Sequence, residues 1–370
     1  MIKKKIVHII PTFELGGVQT GILYSLEKLN KVYDYRVLVI GKIDMEWLDS
    51  MPFVSREYII TTGARILAAG WRKGYRILKK LQPDLIISSL WKSVGLSATY
   101  RLLHKKVILC GFFHSASSPH LSATFFMKMM SFIQDTSLAD SYATQQFLER
   151  FYKINNSHII PYVFTFAPKN GHENFNPSQI RLAYFGRISQ RKGVDRSIEF
   201  CRLLSQSGVN FIFDIYGDGP MDIYREKIRK FGLINVAQLK EILPLHEVMD
   251  KMGQYDFLLQ LSNHEGMALA VVEAMNCGLV PIVTPVGEIK RYSRDGINAI
   301  WLDEVYDDNL LALVEKVKKV SANPILYHEI SANAAGTFIN YRKYTTVLIE
   351  VIDSYINNNK SRHQLETNQP

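Results

Sequence analysis

The 370-residue chain contains only three cysteines, Cys110, Cys201 and Cys277, separated by 91 and 76 residues. That spacing suits neither a zinc site nor the disulfide framework of a small secreted module. All three are therefore expected to be reduced and buried, as in the cytosol. Long apolar runs are missing as well: none reaches the ~18 residues needed to cross a bilayer. The run at 6–10 behind Lys3, Lys4 and Lys5 stops at Pro11, too short for a secretory leader. There is no repeat of solenoid length and no long low-complexity segment. What the chain does have is material for cores, with 47% hydrophobic residues, 21% charged residues and a mean hydropathy of -0.03. At roughly 150 residues per domain, its length implies two soluble globular domains.

Acidic residues are scarce in one half only. Residues 1–170 hold 22 Lys and Arg against 11 Asp and Glu, and the remainder 22 against 24, so the net charge of +9 arises wholly in the N-terminal half. Such an asymmetry points that half toward an anionic surface or substrate.

Two segments nearly 180 residues apart share one pattern, a short branched apolar run, a glycine loop and a helix-period stretch. One runs from 5–10 into Gly16 and Gly17, the other from 180–185 into Gly186 and Arg187, with a helix predicted over 194–206. Further buried-strand candidates lie at 36–40, 85–88, 107–111, 211–216, 257–261 and 280–283. Alternation of this kind predicts α/β architecture with parallel sheets covered on both faces. The aperiodic stretch 161–177, rich in Pro, Asn, Gly and aromatics, reads as the linker. Domains are expected at 1–165 and 178–340, with a terminal helix at 341–356 that packs on the first domain and a frayed polar tail at 357–370. Two facing sheets of this type bind ligands at their strand carboxyl ends, hence in a cleft.

The most informative stretch is Ser262-Asn263-His264-Glu265-Gly266-Met267-Ala268-Leu269, continuing through Glu273 to Gly278. A turn at Glu265 and Gly266 is expected to open a helix reaching Asn276, with Glu265 at its start and Glu273 two turns inside. Eight residues of helix rise put the two carboxylates about 12 Å apart, wider than the roughly 5–9.5 Å of a glycosidase acid pair. They suit the two ends of one elongated ligand, and the helix N-terminus between them suits a phosphate. The plainer alternative makes Glu265 a helix-start charge and Glu273 a surface residue. Against it, Glu273 lies in an apolar run, where an uncompensated carboxylate is costly.

Arg187 and Lys192, in Gly186-Arg187-Ile188-Ser189-Gln190-Arg191-Lys192-Gly193, can converge on one anion or form an ordinary solvated basic loop. Gly217-Asp218-Gly219-Pro220 reads as a tight turn at another strand end. Gly16 and Gly17 open a helix and let a ligand approach the backbone, but a third spaced glycine is absent, which disfavours a dinucleotide enzyme. His114 follows a buried strand, as a structural or a catalytic histidine.

These pieces in this order resemble the family 4 retaining glycosyltransferases, of GT-B fold: two Rossmann-like, doubly wound parallel-sheet domains facing a cleft. The matching residues are Gly16 and Gly17, His114, Arg187 with Lys192, Gly217 to Pro220, and Glu265 with Glu273. The resemblance implies a nucleotide sugar held mainly by the C-terminal domain, with a UDP-sugar favoured. It implies that Glu273 binds the ribose, Arg187 and Lys192 neutralise the diphosphate, and Glu265 and His114 contact the donor sugar. Gly16, Gly17, Gly217, Gly266, Met267, Ala268 and Leu269 would line the substrate. No metal cofactor is implied, and the Asp-x-Asp triplet of the other major glycosyltransferase fold is absent. Departures from the pattern are Ala268 for a common glycine, Met267 for an aromatic, Tyr162 for an asparagine and Ala299 for a late glycine.

The segment 65–80 is predicted to be a helix with Arg65, Arg72, Arg76, Lys79 and Lys80 on one face and Leu67, Trp71, Gly74 and Leu78 on the other. It reads as a sheet-covering helix whose basic face is solvated or meets anionic lipid. The stretch 125–132 is expected to be a core helix, with a border to the acceptor as the second reading. The expectation is transfer of a hexosyl or N-acetylhexosaminyl group, with retention, to a lipid-linked saccharide at the inner face of the cytoplasmic membrane, in surface polysaccharide or O-antigen synthesis. Nucleic acid is not an expected partner. The alternatives are a non-catalytic nucleotide-sugar-binding protein and a GT-B sugar-nucleotide epimerase.

Overall fold

A computed structural model describes residues 2–14, 16–49, 56–114, 121–164, 175–303 and 309–367. Leu15 and residues 165–174, most of the expected linker, lie outside them. The chain divides into two compact units, Met1–Phe164 with Arg342–Pro370, and Thr165–Tyr341.

The first unit carries strands β1 (Lys5–Ile10), β2 (Asp34–Val39), β3 (Ile59–Thr61), β4 (Leu85–Ser89), β5 (Ile108–Phe113), β6 (Thr136–Ala139) and β7 (Ser157–Ile159). They form one sheet, parallel throughout, in the order β3-β2-β1-β4-β5-β6-β7. Every residue of β4 and β5 is buried, as required of central strands covered on both faces. Between them run helices α1 (Gly17–Val32), α2 (Met45–Asp49), α3 (Leu67–Leu81), α4 (Trp91–Leu103), α5 (Leu121–Ile133) and α6 (Tyr142–Phe147). The order of connection reverses between β1 and β4, so a crevice is expected beyond their carboxyl ends.

Packing of α3 on α4 rests on one complementary pair. The Trp71 indole occupies the space above Gly95, where a Cβ would come within 2.2 Å of the ring, and its Nε1 donates to Lys92 O at 2.9 Å. Gly70, Gly74 and Leu78 are buried, whereas Arg72, Arg76, Lys79 and Lys80 are exposed. The helix starts at Leu67 rather than at 65, leaving Arg65 and Ile66 outside it.

The expectation of a core helix over 125–132 needs correction. Phe126, Met127, Met129 and Ile133 of α5 pack against the core, but Leu121, Phe125 and Phe132 are 90%, 64% and 78% exposed. Large apolar residues stand on more than one side of this helix, and a helix lying on a sheet can bury only one side.

The second unit repeats the architecture. It comprises β8 (Ile180–Phe185), α7 (Val194–Gln206), β9 (Phe211–Tyr216), α8 (Met221–Lys230), β10 (Ala237–Lys240), α9 (Leu245–Met252) and β11 (Phe257–Gln260). There follow α10 (Leu269–Asn276), β12 (Val280–Val283), α11 (Ile289–Tyr292), β13 (Ile300–Trp301), α12 (Leu310–Ser321) and α13 (Pro324–Gly336). The parallel sheet runs β10-β9-β8-β11-β12-β13, with its switch between β8 and β11. Tyr184, Phe200, Phe211, Phe213, Phe257 and Tyr327 fill its core. Asp256 fastens the start of β8 to that of β11 by accepting from Arg181 N at 2.7 Å and from its guanidinium at 2.6 Å.

A last helix, α14 (Tyr344–Thr367), belongs to the first unit, where Tyr33 Oη donates to Asp353 at 2.8 Å and Tyr344 N to Val163 O at 2.8 Å. Its backbone continues past residue 356, where a frayed tail was expected to begin. Residues 357–367 contain no Pro or Gly to stop it. All three cysteines are buried thiols outside any disulfide.

Candidate active site

In the second unit the loops that leave β8, β9, β11 and β12 interlock through their backbones. Ile188 N donates to Asp218 O at 2.6 Å, Asn263 N to Arg191 O at 3.0 Å and Glu288 N to Gly266 O at 3.0 Å, while the Thr284 hydroxyl donates to Ser262 O. Glycine permits the closeness. At Gly193 (φ +70°) a Cβ would sit 1.8 Å from Leu261 O, and at Gly217 it would sit 1.8 Å from Gly186 O. The result is a preorganised rim at the carboxyl edge of the sheet, around the β8/β11 switch.

Lys192 ends a single 3-10 turn over Gln190–Lys192, and its ammonium lies 2.9 and 2.8 Å from the two oxygens of Glu265. Glu265 Oε1 also accepts from Gln260 Nε2 and Ser262 Oγ, both at 2.7 Å. Glu265 is therefore not at a helix start, as the sequence spacing suggested. Gln260 and Ser262, from the end of β11, hold it back in the loop. The chain then turns through Gly266, Met267 and a left-handed Ala268 (φ +57°) before α10 begins at Leu269. The spacing of about 12 Å argued from helix rise does not apply to it.

Two buried tyrosines steady the rim. Tyr184 Oη donates to Arg187 O at 2.6 Å and Tyr292 Oη to Met267 O at 3.1 Å. Burial first, then the Glu265 charge, pushes both phenols above their ordinary range, so they act as neutral donors.

Glu273 is 4% exposed on α10, which rules out the reading of it as a surface residue. Arg187 is exposed on its loop. Met267 and Ala268 are buried, while Gly266 and Leu269 are partly open. Among the described residues no side chain caps α10, so its first N–H groups have no side-chain acceptor there. Gln260 and Ser262 were not singled out in the sequence. Gln260 is buried and its Oε1 has no hydrogen-bond partner among the described residues. A glutamine closing an apolar strand shortly before Ser-Asn-His-Glu is the signal that could have pointed to it.

In the first unit, Gly16 is the extended N-cap of α1, which has no side-chain cap, and nothing lies within 4 Å of a Cβ built on Gly17. His114, one residue past β5, is half-buried, and its ring lies 4.2 Å from that of Phe112 between centroids, tilted by 37°. Burial, then neighbouring His8, holds its pKa well below the ordinary value, so it is neutral at physiological pH. His8, a polar residue inside the apolar run of β1, was overlooked. Among the described residues no three His, Cys, Asp or Glu side chains converge as metal ligands, and no helix is long and apolar enough to cross a membrane.

Residues 167–337 match the protein family described as glycosyl transferases group 1. The chain is similar to a putative colanic acid biosynthesis glycosyltransferase, WcaL, of Escherichia coli (strain K12), at 33% identity over 36% of this chain and 34% of the relative. It is also similar to the GDP-mannose:cellobiosyl-diphosphopolyprenol alpha-mannosyltransferase of Xanthomonas oryzae pv. oryzae (strain PXO99A), at 24% identity over 47% of this chain and 46% of the relative. These matches thus span between a third and a half of the relatives' length. Among solved structures, Anabaena HepE in complex with UDP and glucose superposes with a TM-score of 0.76, at 15% identity, over 95% of this chain and 99% of that one. This likeness shows the fold: two Rossmann-like parallel-sheet domains of GT-B type.

Proposed function

We propose that the chain is a glycosyltransferase that moves a hexosyl or N-acetylhexosaminyl group from a nucleoside-diphosphate sugar, UDP-linked by preference, to a lipid-linked saccharide with retention of configuration. The observation that carries this reading is the Lys192–Glu265 pair, set in interlocked strand-end loops beside the uncapped α10. In this scheme Glu273 takes the ribose hydroxyls. Arg187, Lys192 and the first N–H groups of α10 face the diphosphate, while Glu265 and His114 meet the donor sugar. Gly16, Gly17, Gly217, Gly266, Met267, Ala268 and Leu269 line the substrate.

As the bond from the sugar C1 to the diphosphate oxygen breaks, negative charge grows on the leaving group. Cations and N–H groups already fixed in place stabilise that charge without reorganising, a contribution that needs no metal ion. The acceptor oxygen bonds to C1, and its proton passes to the departing diphosphate oxygen. The names of the relatives support the substrate classes, since the Xanthomonas protein is named for a cellobiosyl-diphosphopolyprenol substrate and the WcaL protein for colanic acid biosynthesis.

The first unit supports an acceptor presented at a lipid surface, which would place the enzyme at the inner face of the cytoplasmic membrane. Arg72, Arg76, Lys79 and Lys80 of α3 are exposed, and each basic residue near anionic lipid contributes about 1 kcal/mol. Leu121, Phe125 and Phe132 of α5 add an exposed apolar stripe interrupted by Lys128.

The test is incubation with a panel of nucleotide sugars and membrane extract while following released nucleoside diphosphate. Release that requires the extract and is lost in Glu265→Ala and Lys192→Ala is the expected outcome. Binding without turnover would indicate a nucleotide-sugar-binding protein instead. Conversion of the nucleotide sugar with no acceptor present would indicate an epimerase.

A further inference from the structure

We infer that Tyr35, His8 and Ser89 form a one-way hydrogen-bond relay that sets the tautomer of His114, making it a neutral donor through Nδ1–H rather than a base. All the groups lie in the first unit. His8, fully buried in β1, has Nδ1 2.6 Å from Tyr35 Oη of β2 and Nε2 2.7 Å from Ser89 Oγ, at the end of β4. The same Ser89 Oγ lies 2.9 Å from Nε2 of His114. On its other side, His114 Nδ1 is 3.3 Å from Tyr162 Oη.

A hydroxyl has one proton. Ser89 Oγ touches two imidazole nitrogens and can donate to only one of them. If neither nitrogen carried a proton, two lone pairs would compete for that single donor. If both carried one, the Ser89 proton would be left in a buried site without an acceptor, which is costly. One Nε2 is therefore protonated and the other is not.

Tyr35 decides which. Its buried phenol has His8 Nδ1 as its hydrogen-bond partner, and burial keeps the phenol protonated. Tyr35 O–H thus donates to His8 Nδ1, His8 Nε2–H donates to Ser89 Oγ, and Ser89 O–H donates to His114 Nε2. The Nε2 lone pair of His114 is occupied, and its proton sits on Nδ1. The 3.3 Å contact from Nδ1 to Tyr162 Oη is long for a hydrogen bond, so Nδ1–H is the more weakly held end of the ring. Two features hold Ser89 in place. Leu90 adopts a strained conformation (φ 65°, ψ 143°), and Ser93 Oγ, 2.5 Å from Ser89 O and 2.6 Å from Leu90 O, clamps that turn with its one proton.

Tyr35, His8 and Ser89 are accordingly positioning residues. The relay stands on its own geometry and rests on the glycosyl-transfer reading only for the oxygen that Nδ1–H meets, a hydroxyl of the donor sugar. The test labels the full-length protein with ring-¹⁵N histidine and reads the nitrogen shifts of His8 and His114 by NMR at neutral pH, with Tyr35→Phe and Ser89→Ala alongside. In the unmodified protein His8 should be the Nε2–H tautomer and His114 the Nδ1–H tautomer. Tyr35→Phe, which removes only the first proton of the relay, should shift His114 toward Nε2–H without touching it. It should also lower kcat about fivefold, the net worth of one hydrogen bond, with the donor KM unchanged. An Nε2–H or doubly protonated His114, or a His114 spectrum indifferent to Tyr35→Phe, would overturn the relay. Failure to find transfer with any nucleotide sugar would count against the functional reading and leave the tautomer result standing.

Discussion

Lys192 and Glu265, 73 positions apart in sequence, meet at 2.8 Å through loops that leave neighbouring parallel strands. The Glu265 side chain is 6% exposed and the Lys192 side chain 32%, so the pair is screened from water on the carboxylate side and open on the ammonium side. A cation held in this way can meet an incoming anion without giving up its carboxylate.

Removal of one partner should therefore hurt more than removal of both. Lys192→Met leaves a buried carboxylate with only Gln260 and Ser262 and is expected to lose about 2 kcal/mol, discounted for the open side of the lysine. Combining it with Glu265→Gln should restore most of that stability, with transfer still reduced by roughly 10²-fold or more. Urea denaturation and initial rates on the three variants check both statements.

Backbone close approach predicts a graded glycine series. Gly193→Ala forces a Cβ against Leu261 O in a left-handed residue, whereas Gly208, also left-handed at φ +79°, has nothing within 4 Å of a Cβ. Gly208→Ala should cost only the conformational strain of about 1–2 kcal/mol. Gly193→Ala should cost clearly more and disorder the rim. In the opposite direction, Ala268→Gly removes strain at a buried φ of +57° and should raise the melting temperature by about 2 °C.

The buried histidines predict acid sensitivity. Burial lowers the His8 pKa from its ordinary 6.5 to about 3 and holds that of His114 well below 6.5. Unfolding then takes up protons below pH 6.5, so stability is fully present above that value and is lost as pH falls toward 3. By pH 5 the loss from His8 should be roughly 2 kcal/mol, with a further loss of the same sign from His114. Urea midpoints between pH 7 and pH 5, above most carboxylate titration, read this contribution together with that of His158, whose pKa burial also lowers.

The exposed stripe of α5 predicts lipid binding. Phe125→Asp combined with Phe132→Asp should weaken sedimentation with phosphatidylglycerol vesicles by about tenfold per residue. Stability should stay within about 0.5 kcal/mol, because neither ring is buried. Neutralising Arg72, Arg76, Lys79 and Lys80 should remove most of the salt dependence of binding. Vesicle binding unchanged in both variants would sink the lipid-surface reading.

Legibility in the sequence followed length and monotony. The strand at 211–216 and the helix at 194–206 are uniform in pattern and are found at those bounds. The edge strands β3 and β13 have three and two residues, too few to show a period. β6 reads as polar through Thr136 and Ser137, yet every one of its residues is buried, and Ser137 Oγ accepts from Gln134 Nε2 at 2.6 Å. The candidate site divides the same way. Lys192 and Glu265 were visible as charges beside glycines, while Gln260 and His8 looked like interior residues of apolar runs and Ser262 like an ordinary loop residue after a strand.

From the chain alone came the alternation of apolar runs, glycine turns and helical periods, and with it two parallel sheets and the strand ends where polar chemistry collects. These are local properties, written within ten or so consecutive residues. Only the folded molecule decided that Glu265 turns back to Lys192 instead of opening a helix, that α5 leaves half its apolar surface uncovered, and that one serine hydroxyl stands between two imidazoles. Each of these depends on groups distant in sequence sharing hydrogen bonds or competing for the same buried face, and no local pattern encodes that competition.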